Sequence, residues 1–369
     1  MFVLPVKEYK IRMKKIIAFR FSAMGDVSLT VPVIKGVLEE NPDLEITFVT
    51  REFFAPFFRS IPRLNLVFPD FKGRHKGIFG LFRLYRDLQK SGPFESVVDL
   101  HGVIRTKILS YLFKISGIPG FSIDKGRKEK RFLIKSRYIR ALKHTTVRYL
   151  ETFAAAGFKG QVGKAPFIKV AEKSLVNAYR FLEKVHPTSD RIRIALAPFA
   201  THQPKIWGIQ NFRELITLIN ADYEVDFFLF GGGKEEINLL KEFQSYSPNI
   251  YLAAGEMELS EELALMSTLD LMISMDSSNM HLASLSGVPT VSIWGGTHPA
   301  FGFWALGQPT EYHLQTPASS LKCRPCSVFG DKPCIYPTPR CMEMVKPQDV
   351  FEKLVKLKLL KKRATKVVI

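Results

Sequence analysis

The chain has 369 residues, of which 46% are hydrophobic and 24% are charged, a composition typical of a globular protein. A chain of this length exceeds one ordinary hydrophobic core and favours two domains. No apolar run approaches the ~20 residues that a membrane-spanning helix needs. The first 15 residues also lack the apolar core of a signal peptide, so we expect a cytoplasmic protein.

The positive charge lies entirely in the first half of the chain. Residues 1–175 contain 33 Lys and Arg against 15 Asp and Glu, a net charge of +18, whereas the remainder has 20 of each. Lysines scattered only for solubility do not account for this asymmetry. We therefore expect the first half to bind an anionic partner. The candidates are nucleic acid, an acidic membrane surface and an acidic glycolipid.

A βαβ unit opens the chain. KIIAFR (residues 15–20) predicts a buried strand, the loop FSAMGD follows, and LEITFVT (residues 44–50) predicts the second strand. Apolar residues recur at helical spacing between these strands, at Val27, Val31, Ile34 and Leu38. The loop lacks the glycine fingerprint of dinucleotide sites and the lysine of a P-loop. Asp26 at its end is either an acid in the first turn of the helix or a carboxylate at the sheet edge that can accept a proton.

Two further basic segments follow in the first half. Residues 70–95 predict a loop and an amphipathic helix, and SVVDLHG (residues 96–102) predicts a strand that ends near His101, which we interpret first as a hydrogen-bonded structural histidine. The next segment, FSIDKGRKEKRF, interleaves cations with aromatic residues and holds four candidate ligands of an acidic acceptor: Arg127, Lys128, Lys130 and Arg131. A solvated run of charge is the alternative, and no RNA-binding motif supports nucleic acid.

The second half alternates strands and helices. We predict strands at 191–198, 225–230, 249–253, 270–275 and 290–294, and helices at 211–221, 234–246, 260–269 and 279–286. Such regular alternation predicts a parallel, doubly wound sheet. Glycines, prolines and the HPTSD turn place the boundary near residues 160–190. The predicted domains are 1–175 and 176–345, followed by a basic helix and tail, 346–369, which lies on an anionic membrane or returns to the first domain.

Polar residues follow the predicted strands of the second half, where ligands of α/β sheets bind. Asp276 follows an apolar run, and Ser277 and Ser278 lie at a helix start, where free amide groups attract phosphate. The alternative is that these residues only cap the helix and that His281 fills a core. Glu235, after a run of three glycines, is either a ribose ligand or an acid at a helix start.

Four cysteines cluster near the end of the second half: Cys323, Cys326, Cys334 and Cys341. In a cytosolic protein such a cluster indicates a structural zinc or other metal, or reduced thiols, before it indicates disulfides. The two later spacings do not match a paired C-x2-C site.

Two segments resemble glycosyltransferase family 9, the heptosyltransferases of lipopolysaccharide synthesis. The first is D-S-S-x-x-H-L-A-S-L-x-G-V-P-T-V-S-I-W-G-x-T-H-P, which starts at Asp276 and has Ser278 where the family usually has glycine. The second is R-F-S-A-M-G-D-V-x-L-T-x-P, which ends at Pro32. The resemblance implies a GT-B fold, in which two doubly wound Rossmann-like domains face a cleft. It also implies inverting transfer of heptose from ADP-heptose to an acidic inner-core or lipid A acceptor, without a catalytic metal.

The resemblance assigns roles to individual residues. Asp26 matches the proposed general base, and His101 and Arg105 match positions near the acceptor. In the donor site, Thr201 and Lys205 would contact the diphosphate, and Met257 would pack on adenine. Asp276 would bind a sugar hydroxyl, and Ser277, Ser278 and His281 would complete the donor pocket. Two alternatives remain: a GT-B enzyme that uses another nucleotide sugar, and a non-catalytic α/β protein that binds a glycolipid or nucleic acid. Membrane contact would be peripheral, on the cytoplasmic face of the inner membrane.

Overall fold

The computed structural model describes residues 13–136, 138–185 and 190–363. It contains two parallel sheets, each with helices packed on it, and these are the two predicted Rossmann-like domains. Within the described residues no helix is both long enough and apolar enough to span a bilayer.

The first domain is built on a five-stranded sheet. Its strands are β1 (Lys14–Phe19), β2 (Leu44–Val49), β3 (Leu64–Val67), β4 (Ser96–Asp99) and β5 (Gly120–Ser122). Its helices are α1 (Met24–Ser28), α2 (Thr30–Glu40), α3 (Gly77–Gln89), α4 (Ile104–Ile115), α5 (Arg127–Ser136) and α6 (Thr145–Ala155). The strand order is β3-β2-β1-β4-β5. The chain adds β2 and β3 on one side of β1, then crosses back and adds β4 and β5 on the other side. The switch point between β1 and β4 is where ligands of such sheets bind.

The second domain repeats this arrangement with six strands. They are β6 (Ile192–Ala197), β7 (Val225–Leu229), β8 (Ile250–Leu252), β9 (Leu271–Met275), β10 (Thr290–Trp294) and β11 (His313–Gln315). The helices that accompany them are α7 (Glu172–Val185), α8 (Ile209–Asp222), α9 (Lys234–Gln244), α10 (Leu259–Ser267), α11 (Ser278–Leu285), α12 (Arg340–Glu343) and α13 (Pro347–Lys356). The order β11-β10-β9-β6-β7-β8 places the switch point between β6 and β9.

The central strands of both sheets are buried on both faces, which explains why they read as continuous apolar runs. All residues of β7, β9 and β10 are buried. On one side of the first sheet, α3 and α4 cover β1 and β4 with leucine and phenylalanine side chains, among them Leu84 and Phe113.

The predicted first helix is interrupted. It forms two helices, α1 and α2, that meet at Leu29. Pro32 explains the break, because its ring nitrogen cannot donate to the carbonyl of Ser28 and its ring crowds that carbonyl. The interruption confines Asp26 to a separate single turn beside the cleft.

The boundary between the domains differs from the predicted one. Helix α7 begins at Glu172 and packs on α10 of the second domain, so a boundary after residue 175 cuts through it. Most of the HPTSD turn, residues 186–189, lies outside the described residues.

The basic C-terminal helix packs on the second domain. Helix α13 lies against α8, and its Val350 and Leu354 are buried in that domain's core. After the helix, Arg363 donates to the carbonyl oxygens of Gly287 and Ser267. As far as residue 363, the tail therefore does not return to the first domain. Residues 364–369 lie outside the described part.

Candidate active site

A cleft of about 700 Å³ separates the two domains and is lined by both. The first domain contributes Met24, Gly25, Asp26, Phe53, Lys130 and Thr145, among others. The second contributes Thr201, Lys205, Gly231, Glu236, Met257, Glu262, Asp276, Ser277, Ser278 and His281, among others. The loops that carry Asp26, Lys205 and Asp276 follow β1, β6 and β9, so the switch points of both sheets open into the same cleft.

Asp26 is held from behind by buried groups. The guanidinium of Arg20 forms an ion pair with the Asp26 carboxylate and also donates to the Leu100 carbonyl oxygen at 2.7 Å. The Tyr149 hydroxyl donates to the backbone oxygen of Asp26 at 3.2 Å, and burial raises the pKa of Tyr149, which keeps this donor protonated. The side chain of Asp26 remains 41% exposed while that of Arg20 is 7% exposed. Asp26 therefore has a fixed orientation and a carboxylate that a ligand in the cleft can reach.

The two domains meet directly at Gly25 and His281. A Cβ atom on Gly25 would lie 2.7 Å from Cδ2 of His281, a distance that real Cβ atoms do not reach. His281 is buried, and its Nδ1 has no hydrogen-bond partner. Burial lowers the pKa of His281 to about 4, so the ring is neutral at physiological pH. The ring therefore lines the cleft without adding a charge to it.

A charged pair lies on the second domain's side of the cleft. Nζ of Lys205 is 3.0 Å from Oδ2 of Asp276, and both side chains are largely buried. Thr297 donates its hydroxyl to the same oxygen at 2.7 Å. The Lys205 ammonium is thus held at the base of the cleft, near the start of α11. A helix N-terminus attracts anions, and the Lys205 ammonium adds beside it a positive group whose charge Asp276 balances.

Ser277 and Ser278 begin α11, as the sequence predicts. Ser277 is the residue before the first helical turn and makes no capping hydrogen bond; its hydroxyl shares a 3.2 Å hydrogen bond with Ser274. The Ser277 side chain therefore does not cap the first amide groups of α11. These amides lie at the cleft, which both serines line.

An apolar recess forms the far end of the second domain's side. Met257 lines it together with Gly255, Ile237 and Leu259, and such apolar side chains suit a flat aromatic ring. One carboxyl group, that of Glu262, also lines this end. Burial raises the pKa of Glu262 to about 7, so that it changes charge near neutral pH.

Glu236 takes the position predicted for Glu235. Glu235 is exposed and does not line the cleft, whereas Glu236 does, with its carboxylate accepting a 3.0 Å hydrogen bond from the Gly232 amide. Gly233 has a φ of 85° and turns the chain into α9. That turn sets the phase of the helix and directs the second of the two acids inward.

Only one of the four clustered acceptor candidates lines the cleft. Lys130 does so, and burial lowers its pKa to about 8, with the nearby Arg148 charge acting in the same direction. Its ammonium lies 5.7 Å from the centre of the Phe303 ring. Arg127, Lys128 and Arg131 are exposed on α5 outside the cleft lining, because one helix presents only one face to the cleft.

His101 and Arg105 lie beside the cleft and do not line it. His101 is buried, and its Nδ1 accepts from the Phe21 amide at 3.4 Å, in agreement with a structural histidine. Burial, with the nearby charge of Arg20, lowers the pKa of His101 to about 3, so it is neutral. The Arg105 guanidinium is exposed and stacks on the Phe71 ring at 5.0 Å from its centre.

The comparisons with known proteins identify the family. The family model of glycosyltransferase family 9 (heptosyltransferase) matches residues 81–329. The chain belongs to this family. The matched span begins after β1 and Asp26 and includes the rest of the first domain and most of the second, with the loops after β6 and β9 that carry Lys205 and Asp276. The protein is therefore a glycosyltransferase.

Individual relatives agree with this assignment. The lipopolysaccharide core heptosyltransferase OpsX of Haemophilus influenzae is 25% identical over 291 residues, which are 78% of this chain and 80% of the relative. A family 9 glycosyltransferase from Veillonella parvula has the same fold, with a TM-score of 0.72 and 20% identity over 94% of this chain and 97% of that one. The Escherichia coli heptosyltransferase WaaC, solved with ADP, aligns with a TM-score of 0.64 and 17% identity over 93% of this chain and 99% of its own. These structures confirm the GT-B fold.

The cysteines of this glycosyltransferase are free thiols, and Cys341 is buried. Burial, together with the neighbouring thiols, raises the pKa of Cys326 to about 12. In the described part of the chain, no three His, Cys, Asp or Glu side chains are grouped so as to hold a metal ion. A metal at these cysteines stays a prediction.

Sequence reasoning missed Arg20, Glu236 and Glu262. Arg20 lies in the motif that resembles the family but carries no signal of its own, since a basic residue at a strand end is ordinary. Glu262 lies within a helix and reaches the cleft only through the packing of α10. No spacing within the sequence could have indicated it.

Substituting Gly25 tests the contact between the domains. Because the added methyl group would overlap His281, Gly25→Ala should displace Asp26 from Lys205 and Asp276 across the cleft and lower turnover by about 10²-fold. Gly163→Ala is the control, since a Cβ there meets no atom within 4 Å. Steady-state kinetics measure both, and normal turnover in Gly25→Ala would disprove the tight contact.

The raised pKa of Glu262 should make the stability of the folded protein depend on pH. Its pKa is raised from 4.5 to about 7 in the folded protein, so the folded state retains this proton over a range in which the unfolded chain has lost it. Stability contributed by the neutral form is therefore lost as the pH rises from 4.5 towards 7. As the pH rises through this range, the melting temperature of Glu262→Gln should increase relative to that of the wild type. Above the range, the difference between the two should stay constant. A difference in melting temperature that does not vary with pH would contradict the assignment.

Proposed function

We propose that the protein is an inverting, metal-independent glycosyltransferase that transfers a heptose from ADP-heptose to an acidic acceptor of the lipopolysaccharide inner core or lipid A. The observation that carries the proposal is the placement of the Asp26 carboxylate across one cleft from Lys205 and the start of α11. A base on one side and an anion site on the other are what a single displacement at a sugar carbon requires.

The proposed reaction needs three events at this cleft. Asp26 accepts the proton of the acceptor hydroxyl, and the hydroxyl oxygen attacks the anomeric carbon from the side opposite the diphosphate. The bond from that carbon to the phosphate oxygen breaks, and ADP leaves with its extra negative charge. The Lys205 ammonium and the first amides of α11 stabilise this charge, so that the chain itself supplies the positive groups.

The remaining donor residues have complementary roles in this proposal. Thr201 and Ser277 hold the diphosphate, and Asp276 accepts from a sugar hydroxyl once Lys205 turns to phosphate. Glu236 takes the role of ribose ligand that the sequence assigned to Glu235, since only Glu236 faces the cleft. Met257 and the recess around it receive adenine. Support for adenine comes from the Escherichia coli relative, which was solved with ADP.

The acceptor would enter from the first domain's side. Lys130 lines the cleft there, close enough to Asp26 for that carboxylate to raise its pKa against the effect of burial. A phosphate or sugar carboxylate beside Lys130 would place a neighbouring hydroxyl near Asp26. We further propose that the reaction takes place at the cytoplasmic face of the inner membrane, where an amphiphilic acceptor resides.

Asp26→Asn tests the base. The amide retains the size of the carboxylate but cannot accept the proton, so turnover should fall by about 10²- to 10⁴-fold while ADP affinity changes little. Asp43→Asn is the matched control, because Asp43 also forms an ion pair, with Lys14 at 2.8 Å, and does not line the cleft. If Asp26→Asn turns over at the wild-type rate, Asp26 is not the base.

Lys205→Ala tests the anion site. Removing a charge-assisted contact to phosphate should weaken ADP binding by about 10- to 100-fold, which calorimetry measures directly. Lys241→Ala, at an exposed position in the last turn of α9, removes the same charge away from the cleft and should bind ADP normally. Equal ADP affinity in both variants would remove Lys205 from the donor site.

A further inference from the structure

Helices α3 and α4 form one continuous layer on the first domain. Their inner sides contribute Leu84, Leu88, Leu109 and Phe113 to the same core. They pack on each other through Tyr85, whose ring contacts Phe113 edge-on with centroids 4.9 Å apart and whose hydroxyl pairs with Ser116. Because the two helices lie side by side, their outward sides form one surface, which we call the α3–α4 face.

Helix α3 presents large apolar side chains to solvent on this face. Ile78, Phe79 and Phe82 are 54%, 77% and 46% exposed. They lie on the side of the helix opposite the buried Leu84 and Leu88, and no described element covers them. Exposed phenylalanines grouped in this way mark an interaction surface.

Helix α4 continues the apolar surface as a regular stripe. Ile104, Ile108, Tyr111 and Ile115 recur at the spacing of one helix face. Ile104, Tyr111 and Ile115 are 77%, 64% and 65% exposed. An apolar helix stripe normally turns toward a core, whereas this one points away from it.

Cations surround these apolar side chains. Residues 72–115 contain nine basic residues, namely Lys72, Arg74, Lys76, Arg83, Arg86, Lys90, Arg105, Lys107 and Lys114. They contain three acids, of which Asp99 is buried and Asp87 forms an ion pair with Arg74 at 2.9 Å. Eight of the nine lie on α3 and α4 or within five residues before α3, around the exposed apolar groups. Apolar groups interleaved with cations match the interface of an anionic bilayer, where side chains enter the acyl region and cations meet the headgroups.

One end of the face adjoins the cleft. Arg105, in the first turn of α4, stacks on Phe71, and the Phe71 ring contacts Phe21 at 5.0 Å between centroids. Phe21 in turn contacts His101, at the end of β4. Side-chain contacts therefore connect this end of the α3–α4 face to the end of β4, beside the cleft.

We propose that the α3–α4 face docks the protein on an anionic phospholipid bilayer. The docking depends on the exposed apolar and basic side chains alone. Only its orientation toward the acceptor rests on the proposed function, so a wrong donor assignment would leave the docking prediction unchanged. Helix α13 is not part of this face, because its apolar side packs in the core of the second domain.

Flotation of the full chain with vesicles tests this inference. The wild type should float with vesicles of phosphatidylcholine mixed with phosphatidylglycerol and much less with phosphatidylcholine alone. The variant Ile78→Ser/Phe79→Ser/Phe82→Ser should lower the partition coefficient at least about tenfold, since it removes the inserting groups. Lys107→Gln/Lys114→Gln should lower it about fivefold per cation, the equivalent of about 1 kcal/mol each.

Matched controls separate docking from folding and from other contacts. Val176→Ser/Leu239→Ser/Val355→Ser changes three exposed apolar residues of second-domain helices, and a chain ending at Arg363 removes the end of the tail; both should float like the wild type. The melting temperature of every variant, measured by circular dichroism, reports intact folding. Wild-type flotation of the α3 serine variant overturns the inference. So does loss of flotation in the shortened chain, or a serine variant that only converts a dimer to a monomer in ultracentrifugation.

Discussion

The close approach of α1 to α11 is the constraint on which the rest of the site depends. Gly25 allows the first domain to lie against His281 of the second, and this contact joins the switch points of two separate sheets. Each sheet alone would offer a ligand a single edge. That edge would carry either the carboxylate or the lysine with the helix start, but not both. Held together, they place a carboxylate from β1's loop opposite a lysine and a helix start from the loops after β6 and β9. The excess positive charge of the chain lies in the first half of the sequence, on the Asp26 side of this cleft.

The buried charges show how this geometry is maintained. Arg20 lies behind Asp26, and Asp276 beside Lys205, so each functional charge has a partner on the protein side. A lone buried charge would be costly, whereas a paired one retains its orientation and leaves its free atoms for a ligand. His281, between the two pairs, is neutral because burial lowers its pKa to about 4. Its ring lines the cleft between the two pairs without adding a third charge.

Much of this architecture follows from local sequence, and the remainder depends on tertiary packing. Strands such as β9 and β10 were predictable because parallel strands buried on both faces are continuous apolar runs, and the polar residues that end them mark the cleft edge. Asp276 was identifiable for this reason. The choice between Glu235 and Glu236 was not, because it depends on the helix phase set by the positive φ of Gly233. The exposure of the α4 stripe was equally hidden, since an apolar helical pattern looks the same whether it faces a core or solvent.

The most direct test of the account is calorimetric titration of the purified protein with ADP, UDP, GDP and CMP, without added metal. The recess around Met257, the Lys205 ammonium and the start of α11 together predict that ADP binds and that it binds more tightly than the other three. Tighter binding of UDP, GDP or CMP would retain the glycosyltransferase and replace its donor. Binding of none of the four would contradict the assignment of the second domain's side of the cleft as a nucleotide-sugar site.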